Sequence, residues 1–117
     1  MMRYALLAMT VWAAPCMAQD WALRDGDTAL SAPEMAERIV GHTLVFYDNG
    51  QSRFSPGGSY SYTYDGGRTA FGTFSVQPDS VICIAYRNGW SRCDKYVLNS
   101  ARLVLLTEDG ERFPIRP

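Results

Sequence analysis

The chain has 117 residues, 47% of them hydrophobic and 20% charged, with a formal net charge of −1. This length supports one domain with a modest core. Eleven basic residues against twelve acidic ones leave no positive excess, which argues against nucleic acid or an anionic membrane surface as the main partner.

The chain opens MMRYALLAMTVWAAPCMAQD. Arg3 supplies a short positive start, residues 4–14 form an uncharged apolar run, and Cys16-Met17-Ala18 places small residues around a cleavage point. This pattern predicts a secretory signal peptide over residues 1–18, cut before Gln19. The run is shorter than the ~20 residues that span a bilayer. Ala13-Ala14-Pro15-Cys16 offers a second cleavage, after which Cys16 would carry a lipid anchor. That site lacks its usual Leu and has Pro15 where a small residue belongs. No other segment is long or apolar enough to cross a membrane. The expected product is one β-rich domain, residues 19–117, exported and most simply periplasmic, with Cys83 and Cys93 paired in an oxidising compartment.

Residues 19–30 read as a loosely structured entry with Trp21 as a possible anchor. Asp25-Gly26-Asp27 lacks the further oxygen ligands that calcium needs and reads as a solvated turn. SAPEMAERIVG is the one helix signal. Ser31 and Glu34 make a capping box, and Pro33 lies in the first turn, where its missing N–H costs nothing. Met35 and Ile39 share a face that Ala32, Ala36 and Val40 widen, and Gly41 suits a left-handed stop.

After Gly41 the texture changes. HTLVFY, QSRF, YSYTY, RTAFGTFSV, VICIAY, WSRCDKYVL, ARLVLL and ERFPI are eight candidate strands, separated by short turn sequences. No connection is long enough for a crossover helix, which excludes parallel pairing. The predicted fold is mainly β. It is an antiparallel meander forming a small barrel or strongly curled sheet, with the helix docked on it. Pro114 and Pro117 suit a terminal edge.

Asn88-Gly89 fixes one register. A type I turn with Gly89 left-handed in a G1 bulge makes Tyr86 face Trp90. Stepping outwards then brings Cys83 opposite Cys93 on a non-hydrogen-bonded rung, where Cα atoms lie about 4.5 Å apart and within disulfide reach. A zinc site would need four ligands, and His42 is the sole histidine available to join the thiols. A redox pair would show Cys-x-x-Cys. A structural disulfide is the expectation.

The candidate chemistry is sparse. His42, at the start of the first strand, reads as a surface or structural residue. No serine lies in a nucleophile-elbow pattern. The glycine pairs 57–58 and 66–67 join strands to strands, so they are turns and not phosphate cradles. The carboxylate pairs Asp25/Asp27 and Glu34/Glu37 and the group Glu108/Asp109/Glu111 fall in turns or on a polar helix face, with no burial expected to move their pKa values. No enzyme signature, metal site or cofactor motif is legible. Tyr60, Tyr62 and Tyr64 alternate with Ser59, Ser61 and Thr63, so the rings share one face. They are read first as core packing, together with Phe71, Phe74 and Trp90. The alternative is a ligand face made of Tyr60, Tyr62, Tyr64 and Trp90.

Phe54-Ser55-Pro56-Gly57-Gly58-Ser59-Tyr60 and Gly72-Thr73-Phe74-Ser75-Val76 resemble strands of lipocalin-like small β domains. The feature order, from a helix ending in Gly to Cys residues in successive strands, also resembles short exported Gram-negative proteins of unassigned function. The resemblance implies a β-meander and transfers no catalytic residue. The expected function is a non-enzymatic binding or structural module. Its partner would be a small apolar or glycan-like ligand or an envelope protein. A protein inhibitor of an envelope or cell-wall hydrolase is the second reading, and a lipocalin-like carrier the third.

Overall fold

A computed structural model describes residues 21–117. The expected signal peptide, its cleavage point and Cys16 lie outside the described residues. The fold is mainly β, and all its strand pairs are antiparallel. Among the described residues, strand β1 (Thr28–Ala29) precedes the one helix, α1 (Ala32–Arg38). The meander then runs through β2 (Thr43–Val45), β3 (Gln51–Phe54), β4 (Ser59–Thr63), β5 (Thr69–Gln77), β6 (Val81–Tyr86), β7 (Ser91–Asn99), β8 (Arg102–Leu106) and β9 (Arg112–Pro114). Its strands lie side by side in chain order, and the sheet curls into a half-barrel. Its two edges meet at one antiparallel bridge between Phe46 and Ile115, beside which the Arg116 N–H donates to the Val45 carbonyl at 2.8 Å.

The eight expected strands are all present. The entry is more ordered than its composition predicts, because Thr28 and Ala29 pair with Leu98 and Val97 of β7. A two-residue strand is invisible to period-2 reasoning. Trp21 does anchor the entry, packing against Val97, Val104 and Leu106 on the outer face of the sheet.

The helix forms where its caps predict. Ser31 accepts from the Glu34 N–H and the Glu34 carboxylate accepts from the Ser31 N–H. Gly41 takes φ +84° just beyond the helix. The buried stripe is narrower than expected: Met35 and Ile39 are buried, while Ala32 and Ala36 face solvent. A two-turn helix presents few positions, and these two suffice to plug one end of the half-barrel. They pack with Leu30, Phe54, Ile82 and Tyr96.

Aromatic rings fill the adjoining core. Phe54 contacts Tyr60, Phe74 and Tyr96 at centroid distances of 5.0, 5.1 and 6.3 Å. Two rings expected in this core are outside it. Phe71 is exposed, because it alternates with the inward Gly72 and Phe74, and Trp90 is 75% exposed at the hairpin that follows β6.

The Cys83–Cys93 disulfide is formed, with the two residues opposed in register and their Cα atoms 4.0 Å apart. Its turn has the expected form. Gly89 N–H donates to the Tyr86 carbonyl at 3.0 Å, Tyr86 N–H donates to the Trp90 carbonyl at 2.8 Å, and Gly89 has φ +91°. Odd positions of β6 and β7 face outwards here, so the bridge lies on the outer surface, behind Ile82, Ile84, Arg92 and Asp94.

Candidate functional site: a tyrosine-lined cavity at the open end

The helix closes the end of the half-barrel where β4 and β6 begin. At the opposite end lies a cavity of about 210 Å³, lined chiefly by Tyr60, Tyr62, Tyr64, Tyr86, Arg92 and Asp94. Phe46, Asp48, Ser52, Leu105 and Phe113 complete its wall. A groove of about 570 Å³ continues from it, sharing Tyr64, Tyr86, Arg92 and Asp94 and running past Trp90, Glu108, Asp109 and Glu111.

Alternation on β4 aims Tyr60, Tyr62 and Tyr64 inwards, as the sequence predicts. Their depths differ. Tyr60 is buried, Tyr62 is half-buried and Tyr64 is exposed at the rim. Tyr60 is therefore core and cavity floor at once. Its hydroxyl lies 2.9 Å from the Ser52 hydroxyl, and burial pushes its pKa up. Tyr62 and Tyr64 meet edge to face at 4.9 Å. Trp90 stands apart from the cavity, on the groove wall.

Tyr86 was not singled out from sequence, and a glycine explains its place. Gly72 is in register with Tyr60 on one side and Tyr86 on the other. With no side chain between them, the two rings meet at 5.9 Å across three strands. A Cβ at Gly72 would collide with the Ala85 carbonyl oxygen, so the close approach of β5 and β6 requires glycine.

Arg92 and Asp94 were also missed. They occupy successive inward positions on β7, where a half-buried strand is expected to place apolar residues. The Asp94 side chain is 4% exposed. Arg92 Nε and Nη2 both donate to Asp94 Oδ1, at 3.2 and 2.7 Å. Oδ2 takes neither bond. Among the described residues no buried side-chain nitrogen or oxygen lacks a hydrogen-bond partner, and Asp94 lines both the cavity and the groove. Burial raises the Asp94 pKa, and the Arg92 hydrogen bonds offset this only in part. Burial also opposes the Arg92 charge, but Asp94 outweighs it and keeps the guanidinium protonated. The pair is a salt bridge made through one carboxylate oxygen, with the Asp94 pKa raised from its ordinary value by burial.

Two of the other carboxylates depart from expectation: hydrogen bonds from Ser31 lower the Glu34 pKa within the capping box, and Asp27 differs in its surroundings as well. Asp27, read as part of a solvated turn, has a side chain only 1% exposed. Arg112 Nη1 and Nη2 donate to its two oxygens at 2.7 and 2.9 Å, and Asn99 Nδ2 and the Arg24 N–H donate as well. The Arg112 fork, foremost among these, holds the Asp27 carboxyl far below the usual carboxylate range. The partners lie 72 and 85 residues away, beyond the reach of local pattern. His42 is exposed, and its Nε2 lies 2.7 Å from the Glu37 carbonyl at the end of the helix. Among the described residues no three His, Cys, Asp or Glu side chains are grouped to hold a metal ion, and no helix is long and apolar enough to cross a membrane. Comparison with protein-family models, with curated proteins and with solved structures found no match for the chain.

Proposed function

We propose that the protein is an exported, non-enzymatic binding module that takes a small ligand in the tyrosine-lined cavity. One observation carries this reading: the core is filled beneath the helix, yet aromatic side chains and two charged groups converge on open space at the other end. Such a convergence of rings and a few placed polar groups is the usual form of a ligand site. The cavity is smaller than the ~300–1,000 Å³ of drug-sized pockets. It suits one compact group, with the rest of the ligand running along the groove. The leader-like sequence of residues 1–18 and the disulfide support export.

The test is a set of acidic, basic and neutral fragments, monosaccharides included, titrated while the tyrosine ring resonances are followed by NMR. Saturable shifts confined to Tyr62, Tyr64 and Tyr86 support the reading. Rings that no fragment moves overturn it. Intact mass of protein secreted by a bacterial host tests export, which requires loss of residues 1–18.

The inhibitor reading keeps one observation in its favour. Trp90 is 75% exposed on a hairpin that the Cys83–Cys93 bridge stiffens, and rigid exposed tryptophans are frequent interface anchors. Trp90→Ala would then abolish capture of a cell-wall hydrolase while leaving the cavity titration unchanged.

A further inference from the structure

We propose that the cavity binds the ammonium group of a small organic cation, through the ring faces of Tyr62, Tyr64 and Tyr86 and the carboxylate of Asp94. This rests on the ligand-binding reading above and narrows it to one ligand chemistry.

Three independent features point the same way. The first is the arrangement of rings. Tyr62 and Tyr64 lie at 81° to one another, and Tyr60 and Tyr86 at 76°. Rings set at right angles around one space turn faces as well as edges towards it. An aromatic face carries negative potential and attracts ammonium groups, most strongly where water is excluded. Arg68 already lies over the Tyr64 ring at 5.0 Å from its centroid, so that face shows cation affinity and is itself occupied.

Charge is the second feature. Asp48 and Asp94 line the cavity, and Glu108, Asp109 and Glu111 line the groove. Among the described residues Arg92 is the one basic residue lining either space. The excess of carboxylates along the two spaces favours a cation over an anion.

Asp94 is the third. Arg92 occupies only Oδ1, which leaves Oδ2 without an Arg92 donor on a residue that lines both the cavity and the groove. A carboxylate so deeply buried is poorly solvated, and a bound ammonium returns the interaction that burial removed. Arg92 meanwhile fixes the orientation of the carboxylate, so little ordering remains to be done on binding.

The discriminating probe is choline, compared with 3,3-dimethylbutan-1-ol, which has the same shape with carbon in place of nitrogen and no charge. Choline is expected to shift the Tyr62, Tyr64 and Tyr86 ring resonances saturably, and the alcohol to bind about tenfold more weakly or worse. Asp94→Asn should weaken choline by about tenfold and leave the alcohol unchanged. Tyr64→Ala alters a rim residue outside the packed core, so it keeps the fold, and it should weaken choline about fivefold. Equal affinity for the two compounds overturns the inference while leaving the cavity a ligand site. So does a choline titration without effect where neutral or acidic fragments move the same rings. Rings unmoved by every compound overturn both this inference and the binding reading on which it rests.

Discussion

Arg92 holds Asp94 by one oxygen, with both of its donors on Oδ1. Between them on the strand stands Cys93, whose side chain faces the other way into the bridge with Cys83. The disulfide thus fastens β6 to β7 directly behind the charged pair. The Cys93 N–H donates to the Glu108 carboxylate at 3.2 Å. A covalent clasp and the most chemically distinctive side chains of the molecule occupy opposite faces of the same three residues.

Removing that clasp should loosen the whole domain. Cys83→Ser with Cys93→Ser is expected to lower stability by about 2–3 kcal/mol. For a domain of this size that corresponds to a fall in Tm of about 10–20 °C. Thermal unfolding with and without reductant checks it: reductant should bring the parent protein to the variant's Tm and leave the variant unchanged.

The Asp27–Arg112 fork predicts a pH dependence. The folded-state pKa of Asp27 is depressed, so its stabilisation is fully present above the unfolded value of about 3.9. It is lost as pH falls from there through the folded value. Asp27→Asn should cost about 2 kcal/mol near neutral pH, and the deficit should shrink below about pH 4. Urea titrations of both proteins from pH 7 to pH 2 give the comparison.

Asp94 predicts the opposite slope. Its folded-state pKa is raised by burial, so in the interval just above the unfolded value of about 3.9 the folded chain keeps a proton that the unfolded chain has released. Its contribution is fully present below the unfolded pKa and declines as pH rises through the raised folded value. Asp94→Asn removes the decline. The stability difference between variant and parent should therefore move in the variant's favour as pH rises from about 4, as read from denaturant midpoints.

Gly72→Ala should be costly for so small a change. The added methyl meets the Ala85 carbonyl and forces β5 from β6, at about 2–3 kcal/mol. It also separates Tyr60 from Tyr86, so their ring resonances should shift even where the variant remains folded.

The hairpin between β7 and β8 should be improvable. Asn99 pairs with Arg102, and the two loop residues Ser100 and Ala101 have φ +49° and +65°. Both positions of such a loop favour glycine or asparagine. Ala101→Gly is expected to add about 0.5–1 kcal/mol by relieving the left-handed alanine. A higher urea midpoint with an unchanged slope would demonstrate it.

Local pattern was enough for most of the architecture. Period-2 runs between turn dipeptides located the eight meander strands, and the capping box of Ser31 and Glu34 located the helix, because these signals act over a few residues. The turn at Asn88-Gly89 set a register that carried Cys83 to Cys93, since each step along an antiparallel pair is determined once the turn is known. The shared face of Tyr60, Tyr62 and Tyr64 followed from the same alternation.

Tertiary structure alone decided which of those tyrosines is floor and which is rim, because depth depends on the curl of the sheet and on which end the helix fills. It also brought Tyr86, Arg92 and Asp94 to the cavity, and it sent Trp90 and Phe71 outwards. Asp27 became a buried anchor through partners more than seventy residues distant. The sequence by itself determined the eight meander strands, the helix and the clasp, all products of short-range stereochemistry. The site arises where strand ends far apart in the chain converge, and no local periodicity records that convergence.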